Sequence, residues 1–226
     1  MIPTKAYILT IDNPISREYA KTCADSCDAV GLAWEYFEGY TNISIYDSWL
    51  RTGINTPTLH AILRNNYVDN TQCCSAGHAA IWKKISEGNE AAIVLEHDAI
   101  MLYNPNVSIP DNRIVVLGYK TQDPSRYDHI TAGPPQRVIE LEAHEGAHAY
   151  ALTPTTAKAM VDEIETRGIL GCIDNAYFIK RQRVTDTPLA IMDPTPAIGW
   201  LRESTLWKKS ATANYDFIPS FSLNYK

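Results

Sequence analysis

The most constraining feature of the chain is an uninterrupted apolar run at residues 91–95, which is followed at once by two acids, Glu96 and Asp98. Such a run predicts a strand covered on both faces, because a half-exposed strand would alternate apolar and polar residues. Open α/β sheets bind ligands just beyond the carboxyl ends of their strands. The sequence therefore predicts that Glu96 and Asp98 reach a binding edge, where two carboxylates can hold a hard divalent cation.

The residues before this strand predict a β-α-β unit. Residues 4–11 have strand composition, Pro14 stands where a helix can begin, the segment 15–29 is helical in composition up to Gly31, and 32–37 returns to strand composition. A crossover of this kind favours parallel strands. The fold class expected is therefore α/β with a mainly parallel central sheet.

The remaining pattern continues this alternation. Helical spacing at 75–86 places His78, Ile81, Trp82 and Ile85 on one face. Segments 39–55 and 199–226 give no clear assignment. The other expected elements are a short helix at 58–67, loops at 103–112 and 120–137, strands at 113–119, 138–141, 147–152 and 189–192, and helices at 153–167, ended by Gly168, and 174–181.

Length and charge limit the possible classes. A chain of 226 residues suits a single domain spanning 1–226, with 199–226 as a possible C-terminal extension. The net charge of −6 gives no electrostatic basis for binding nucleic acid. No apolar run is long enough for a membrane span, and no signal peptide is visible before the strand-like start. Five cysteines, an odd number, are expected to be reduced thiols, which favours a cytoplasmic location.

A family resemblance joins the helix at 75–86 to the acidic strand end. The residues that carry it are Cys74, His78, Ile81, Trp82, Leu95, Glu96, His97 and Asp98. This block resembles glycosyltransferase family 25, the lipopolysaccharide and collagen galactosyltransferase-like enzymes, which read Gly-Cys-x-x-Ser-His, then an Ile-Trp helix, then Leu-Glu-Asp-Asp. Cys73, Gly77 and His97 replace the family's Gly, Ser and middle acid. Residues 146–160 are similar to a second family unit, Gly-x-x-Ala-Tyr-x-x-Ser-x-x-Ala, whereas only Arg17 remains of an N-terminal basic cluster.

The resemblance implies a Rossmann-like nucleotide-diphospho-sugar transferase fold of the GT-A type. It implies transfer of a hexose, galactose or glucose, from a UDP-sugar donor to a hydroxyl of a glycan or protein acceptor. Glu96 and Asp98 would hold Mn²⁺ or Mg²⁺, which are the ions expected from hard oxygen donors, and His148 could reach the same ion. His97 would either pack against the opposite face of the sheet or supply a nitrogen ligand. Strand-end carboxylates are expected to contribute little to packing.

Donor contacts are expected around the first strand and the motif helix. Tyr7, Thr10 and Asp12, near the carboxyl end of the first strand, could contact the uridine. His78 is either a hydrogen-bonded core residue or part of the donor site. Lys208 and Lys209 could close over the diphosphate or form a solvated basic pair.

Inverting transfer needs one positioned base, usually a carboxylate. Asp174, which opens a predicted helix after Gly171, is the candidate. It could equally be a helix N-cap, since Asp is a preferred cap residue. Glu145 is the next candidate.

Three other interpretations stay open. Residues 144–148 spell His144-Glu145-Gly146-Ala147-His148, which matches the His-Glu-x-x-His pattern of zinc metalloproteases, although that pattern requires a helix and the surroundings favour a strand. A non-catalytic domain that binds a nucleotide-sugar or saccharide is the second. A metal shared by Cys23 and Cys27 with Cys73 and Cys74 is the third.

Overall fold

The computed structural model describes residues 1–57, 70–118, 137–139, 147–168, 182–185 and 189–192. Its helices are α1 (Pro14–Ala29), α2 (Ile45–Thr52), α3 (Asn70–Ser86) and α4 (Pro154–Arg167). Its strands are β1 (Lys5–Thr10), β2 (Ala33–Glu38), β3 (Ala92–Glu96), β4 (Ala99–Met101), β5 (Ile114–Val116), β6 (Val138–Ile139), β7 (Ala149–Leu152), β8 (Gln182–Thr185) and β9 (Ala190–Met192).

Within these residues, the main sheet has seven strands in the order β2-β1-β3-β7-β5-β8-β6, and β4 and β9 form a separate two-stranded sheet. Five strands run in one direction, namely β2, β1, β3, β5 and β8. Strand β1 is parallel to β2 and to β3. Strands β3 and β5 are both antiparallel to β7 and so share a direction, and β5 is parallel to β8. Strand β6 is also reversed. The prediction of an α/β fold with a mainly parallel central sheet is confirmed.

The two faces of the sheet carry separate apolar layers. On one face Ile93 and Leu95 pack with Cys23 of α1 and with residues of β4 and β9. On the other face Val94 and Tyr150 pack with residues of α2, α3 and α4. Strand β3 therefore lies between two covered faces, as its apolar sequence predicts.

Local sequence signals define the ends of the long helices. The Asn13 side chain accepts hydrogen bonds from the first turn of α1, and Pro14 occupies the first helical position. Thr153 caps α4 in the same way before Pro154, and Gly168, at φ 87°, ends that helix. The predicted bounds of both helices are confirmed to within one residue.

Helix α2 lies inside segment 39–55, which could not be assigned from its sequence pattern. Ser44 caps it by accepting a hydrogen bond from the Asp47 amide at 3.0 Å. Gly53, at φ 65°, ends it in the left-handed conformation that favours glycine. The helix has only eight residues, too few for its apolar period to stand out from a turn-rich background.

Several predicted elements lie outside the described residues. They are the helices at 58–67 and 174–181, residues 120–136 of the long loop, and the tail at 199–226. None of the helices in the described part of the chain combines the length and the apolar character that crossing a bilayer requires.

Gly118 follows β5 where the two sheets meet, and it offers a test of this packing. A Cβ added there would lie 2.0 Å from the Ala190 carbonyl oxygen and 2.7 Å from His148 Nε2. The carbonyl belongs to the backbone and cannot rotate away, so Gly118→Ala is expected to lower the free energy of unfolding by about 3 kcal/mol or more. Urea denaturation of Gly118→Ala and of Gly88→Ala, whose added Cβ meets only a carbonyl oxygen at 3.4 Å, measures this. Equal losses in the two variants would contradict the close approach of the sheets.

Candidate functional site

The carboxyl ends of β1 and β3 meet the amino end of β7 at one edge of the main sheet. The reversed direction of β7 produces this meeting, because β7 pairs with β3 in antiparallel register. The Glu96 amide donates a hydrogen bond of 2.8 Å to the His148 carbonyl across this edge. Residues from distant parts of the sequence are therefore brought together at the end of the central strand.

Glu96 turns toward α3, where His78 Nε2 lies 3.3 Å from its Oε1. His78 is fully buried, whereas 26% of the Glu96 side chain is exposed. Burial alone would raise the pKa of Glu96, but the hydrogen bond to His78 and the charges of His78, His148 and His97 outweigh it and hold that pKa below its ordinary value. Glu96 is therefore an ionised carboxylate that a ligand can reach.

Behind His78 lies a buried hydrogen-bonded chain. Trp82 Nε1–H donates to the Tyr150 hydroxyl at 2.8 Å, and that hydroxyl lies 2.8 Å from His78 Nδ1. The hydroxyl can donate to Nδ1 or accept from it. His78 can therefore adopt either tautomer, depending on the group that contacts its Nε2. Burial raises the pKa of Tyr150 well above its ordinary value, despite the opposing effect of the Trp82 bond, so the residue stays a neutral phenol.

Tyr150→Phe is expected to lower the free energy of unfolding by about 1–3 kcal/mol, the usual cost of removing a buried hydrogen-bond partner. The change deletes the acceptor of the Trp82 bond and the partner of His78 Nδ1 while it keeps the ring. Chemical denaturation measures the loss, with Tyr36→Phe as a control because Tyr36 is 45% exposed. A loss no larger than that of the control would show that the chain of hydrogen bonds contributes nothing to stability.

Cys74, one helical turn before His78, completes a group of three donors. Its Sγ, a ring nitrogen of His78 and a carboxylate oxygen of Glu96 all lie within 4.8 Å of one another. Cys74 and Glu96 are half-buried and His78 is buried. Among the residues that the structure describes, these three side chains lie close enough together to hold a metal ion.

Asp98 and His97 turn to the other side of the sheet. The His97 ring stacks on Tyr19 of α1, with centroids 6.0 Å apart and planes at 16°. Burial lowers the pKa of His97, and the Glu96 charge opposes that effect. Asp98 is only 3% exposed. The pKa of Cys23 on α1 is raised by its hydrogen bond with Cys27, by burial and, to a smaller extent, by the charge of Asp98. The expectation that the Asp98 carboxylate contributes little to packing is thus wrong, because the chain turns directly after Glu96 and buries it.

The three residues proposed to contact the uridine occupy different environments. Tyr7 lies mid-strand, packed edge-on against Phe37 at 6.5 Å between centroids. Thr10 is buried at the strand end, where its hydroxyl lies 3.1 Å from the Ser16 hydroxyl. Asp12 lies beyond the strand with 93% of its side chain exposed. Asp12 is therefore the most accessible of the three at this edge.

His148 is buried just before β7, and neither Ala147 nor His148 is helical. The zinc-protease pattern needs a helix through its second histidine, so this geometry does not match it. Cys23 and Cys27 pack on the α1 face, away from α3, and do not share a site with Cys73 and Cys74. The predicted base Asp174, the alternative Glu145, and Lys208 and Lys209 lie outside the described residues.

Two members of this site were not predicted as such. Cys74 and Tyr150 both lie within the motifs that carry the family resemblance. Cys74 was expected only to share a metal with the other cysteines, and Tyr150 had no predicted role. The spacing of Cys74 and His78, four residues apart on a helix, could have indicated a shared face. Nothing in the sequence places Tyr150 against His78, because the two are 72 residues apart.

Comparisons with known proteins add the following. No family model matches the chain, and no curated protein matches it significantly. Among solved structures, galactosyltransferase LgtC in complex with donor and acceptor sugar analogues aligns at 10% identity and a TM-score of 0.47, over 96% of this chain and 95% of that chain. A glycosyltransferase involved in glycosylation of the major capsid of PBCV-1 aligns at 10% identity and a TM-score of 0.36, over 79% and 80%. Similarities this low indicate nothing about the donor or acceptor of this chain.

Proposed function

We propose that the chain is a glycosyltransferase of the GT-A type that transfers a hexose, galactose or glucose, from a UDP-sugar to a hydroxyl of a glycan or protein. The observation that carries the proposal is the position of Glu96. An ionised, partly exposed carboxylate lies at the carboxyl end of the central strand, and it is held by His78 from the helix that resembles family 25. This is the edge of an α/β sheet at which ligands bind.

Breaking the bond between the sugar and UDP leaves negative charge on the diphosphate. A divalent cation supplies Lewis-acid stabilisation of that charge when it is bound. Glu96 offers the oxygen donor that Mn²⁺ or Mg²⁺ prefers, and His148 remains a proposed ligand. Asp98, which is buried toward α1, is not placed to join Glu96 at the same ion. Glu96 also holds His78 in position, and the buried His78 ring forms the inner wall of the site.

The acceptor hydroxyl must lose its proton as it attacks the anomeric carbon. We assign this step to Asp174 as a single base, which corresponds to one displacement and inversion at the anomeric carbon. Nuclear magnetic resonance of the first product formed distinguishes the outcomes. The inverted anomer supports a single base, and the retained anomer overturns this assignment.

The decisive experiment measures UDP release by the full chain from a panel of UDP-hexoses, with Mn²⁺, with Mg²⁺ and with excess chelator. Release from one donor that increases with a glycan or protein acceptor supports the transferase. Binding of a UDP-sugar by calorimetry without any release would overturn catalysis in favour of a binding domain. Full activity in excess chelator would overturn the role of a metal ion.

A further inference from the structure

The geometry points to a metal site with a thiolate ligand, and we propose that Cys74, His78 and Glu96 bind a divalent ion of the zinc class. The proposal deepens the proposed function, since Glu96 belongs to both, by naming an ion softer than Mn²⁺ or Mg²⁺. Metal binding at these residues does not itself depend on sugar transfer, so the two proposals can fail separately.

The backbone already places the three donors around one point. Positions 74 and 78 are separated by one helical turn and share a face of α3, and Glu96 approaches from the end of β3. Ligands bonded to one tetrahedral Zn²⁺ at about 2.0–2.3 Å lie about 3–4 Å from one another. The nitrogen and oxygen of His78 and Glu96 are 3.3 Å apart, and all three donor atoms lie within 4.8 Å. Side-chain movements of about 1 Å would close the site.

The donor set selects the ion. A thiolate is a soft ligand that Mg²⁺ and Ca²⁺ do not prefer, whereas Zn²⁺ accepts sulfur, imidazole nitrogen and carboxylate oxygen together. Three protein ligands leave a fourth tetrahedral position, as in zinc sites where an external oxygen binds. Cys74 and Glu96 are half-buried rather than sealed, so that position can be reached from outside.

The surroundings of His78 fit the role of a metal ligand. A histidine that binds a metal through one nitrogen normally donates its other ring N–H to a fixed acceptor. Here Nδ1 lies 2.8 Å from the Tyr150 hydroxyl, which Trp82 also holds. The Tyr150 oxygen can accept hydrogen bonds from both Trp82 Nε1–H and His78 Nδ1–H. In that tautomer His78 Nε2 carries no proton and can bind the ion.

Cobalt substitution tests the site in the full chain without any UDP-sugar. After removal of bound metal by a chelator, titration with Co²⁺ is expected to produce a thiolate-to-cobalt charge-transfer band that saturates at about one equivalent and is displaced by Zn²⁺. Cys74→Ser should abolish the band. Changes to groups that merely orient a ligand cost about 10- to 100-fold in metal affinity, so Cys74→Ser should weaken Zn²⁺ binding by at least that factor.

Cys27→Ala is the matched control, because Cys27 is a buried thiol on the opposite face of the sheet, and it should keep the band. Glu96→Gln should keep the band but weaken Zn²⁺ binding, which preserves a test if Cys74→Ser does not fold. Absence of the band in the parent protein, or its persistence in Cys74→Ser, would overturn the site. An inactive protein with the band would refute the transferase alone, and an active protein without it would refute only the zinc-class site.

Discussion

Glu96→Gln is expected to lower UDP release by about two to three orders of magnitude while the protein stays folded. The loss is of the size found when one group that stabilises developing charge is removed from an active site. Gln keeps the shape of Glu and an oxygen that can accept from His78 Nε2 at the same position. It removes the negative charge and replaces one carboxylate oxygen by an NH2 group. The charge is the property needed to hold a cation next to a diphosphate.

The measurement is steady-state UDP release beside thermal unfolding, with Glu90→Gln as the matched control. Glu90 is an exposed residue just before β3, and its carboxylate accepts a hydrogen bond from the Thr4 hydroxyl. The control should keep full turnover. If Glu96→Gln also turns over normally, the carboxylate at the end of β3 has no part in the reaction and the proposed function loses its main support.

Asp174→Asn is expected to keep donor binding but to lower turnover by about two to four orders of magnitude, the usual contribution of a positioned proton acceptor. The substitution separates the two interpretations of this residue. Asn caps a helix nearly as well as Asp, so a cap role would survive the change, whereas an amide cannot take the proton of an acceptor hydroxyl.

Single-turnover kinetics and calorimetric UDP-sugar binding distinguish the outcomes. Asp162→Asn serves as a control, because Asp162 is exposed on α4 and its carboxylate forms an exposed pair with Lys158. If Asp174→Asn keeps near-full turnover while Asp174→Ala loses thermal stability, the residue is a cap. The base would then be sought at Glu145.

Much of the fold could be predicted because its signals are local. Pro14 and Gly168 mark helix ends through their own backbone preferences, and the run at 91–95 is too apolar for any exposed element. The reversed direction of β7 could not be predicted. The sequence of a buried strand of four residues contains no signal for its direction in the sheet. Only its pairing with neighbouring strands determines whether it is parallel or antiparallel to them.

The place where β3 ends was predictable, but the contacts of the side chains at the candidate site were not. The carboxyl end of β3 was identified correctly from its pattern of apolar residues followed by acids. That pattern does not reveal that the chain turns after Glu96, which sends Asp98 toward α1 and leaves Glu96 facing α3. Side-chain direction after a strand depends on backbone angles that no spacing rule determines.

The position of β7 in the middle of the main sheet has a consequence for folding during synthesis. Strands β1, β2 and β3 can pair as soon as residue 96 has emerged, but the partner that covers the free edge of β3 arrives more than fifty residues later in the sequence. Until then, apolar β3 presents unpaired backbone groups to other chains, which is the condition that promotes aggregation during synthesis. Tyr150, which contacts His78, is synthesised only with β7. The buried hydrogen bond between these two residues can therefore form only after β7 has joined the sheet.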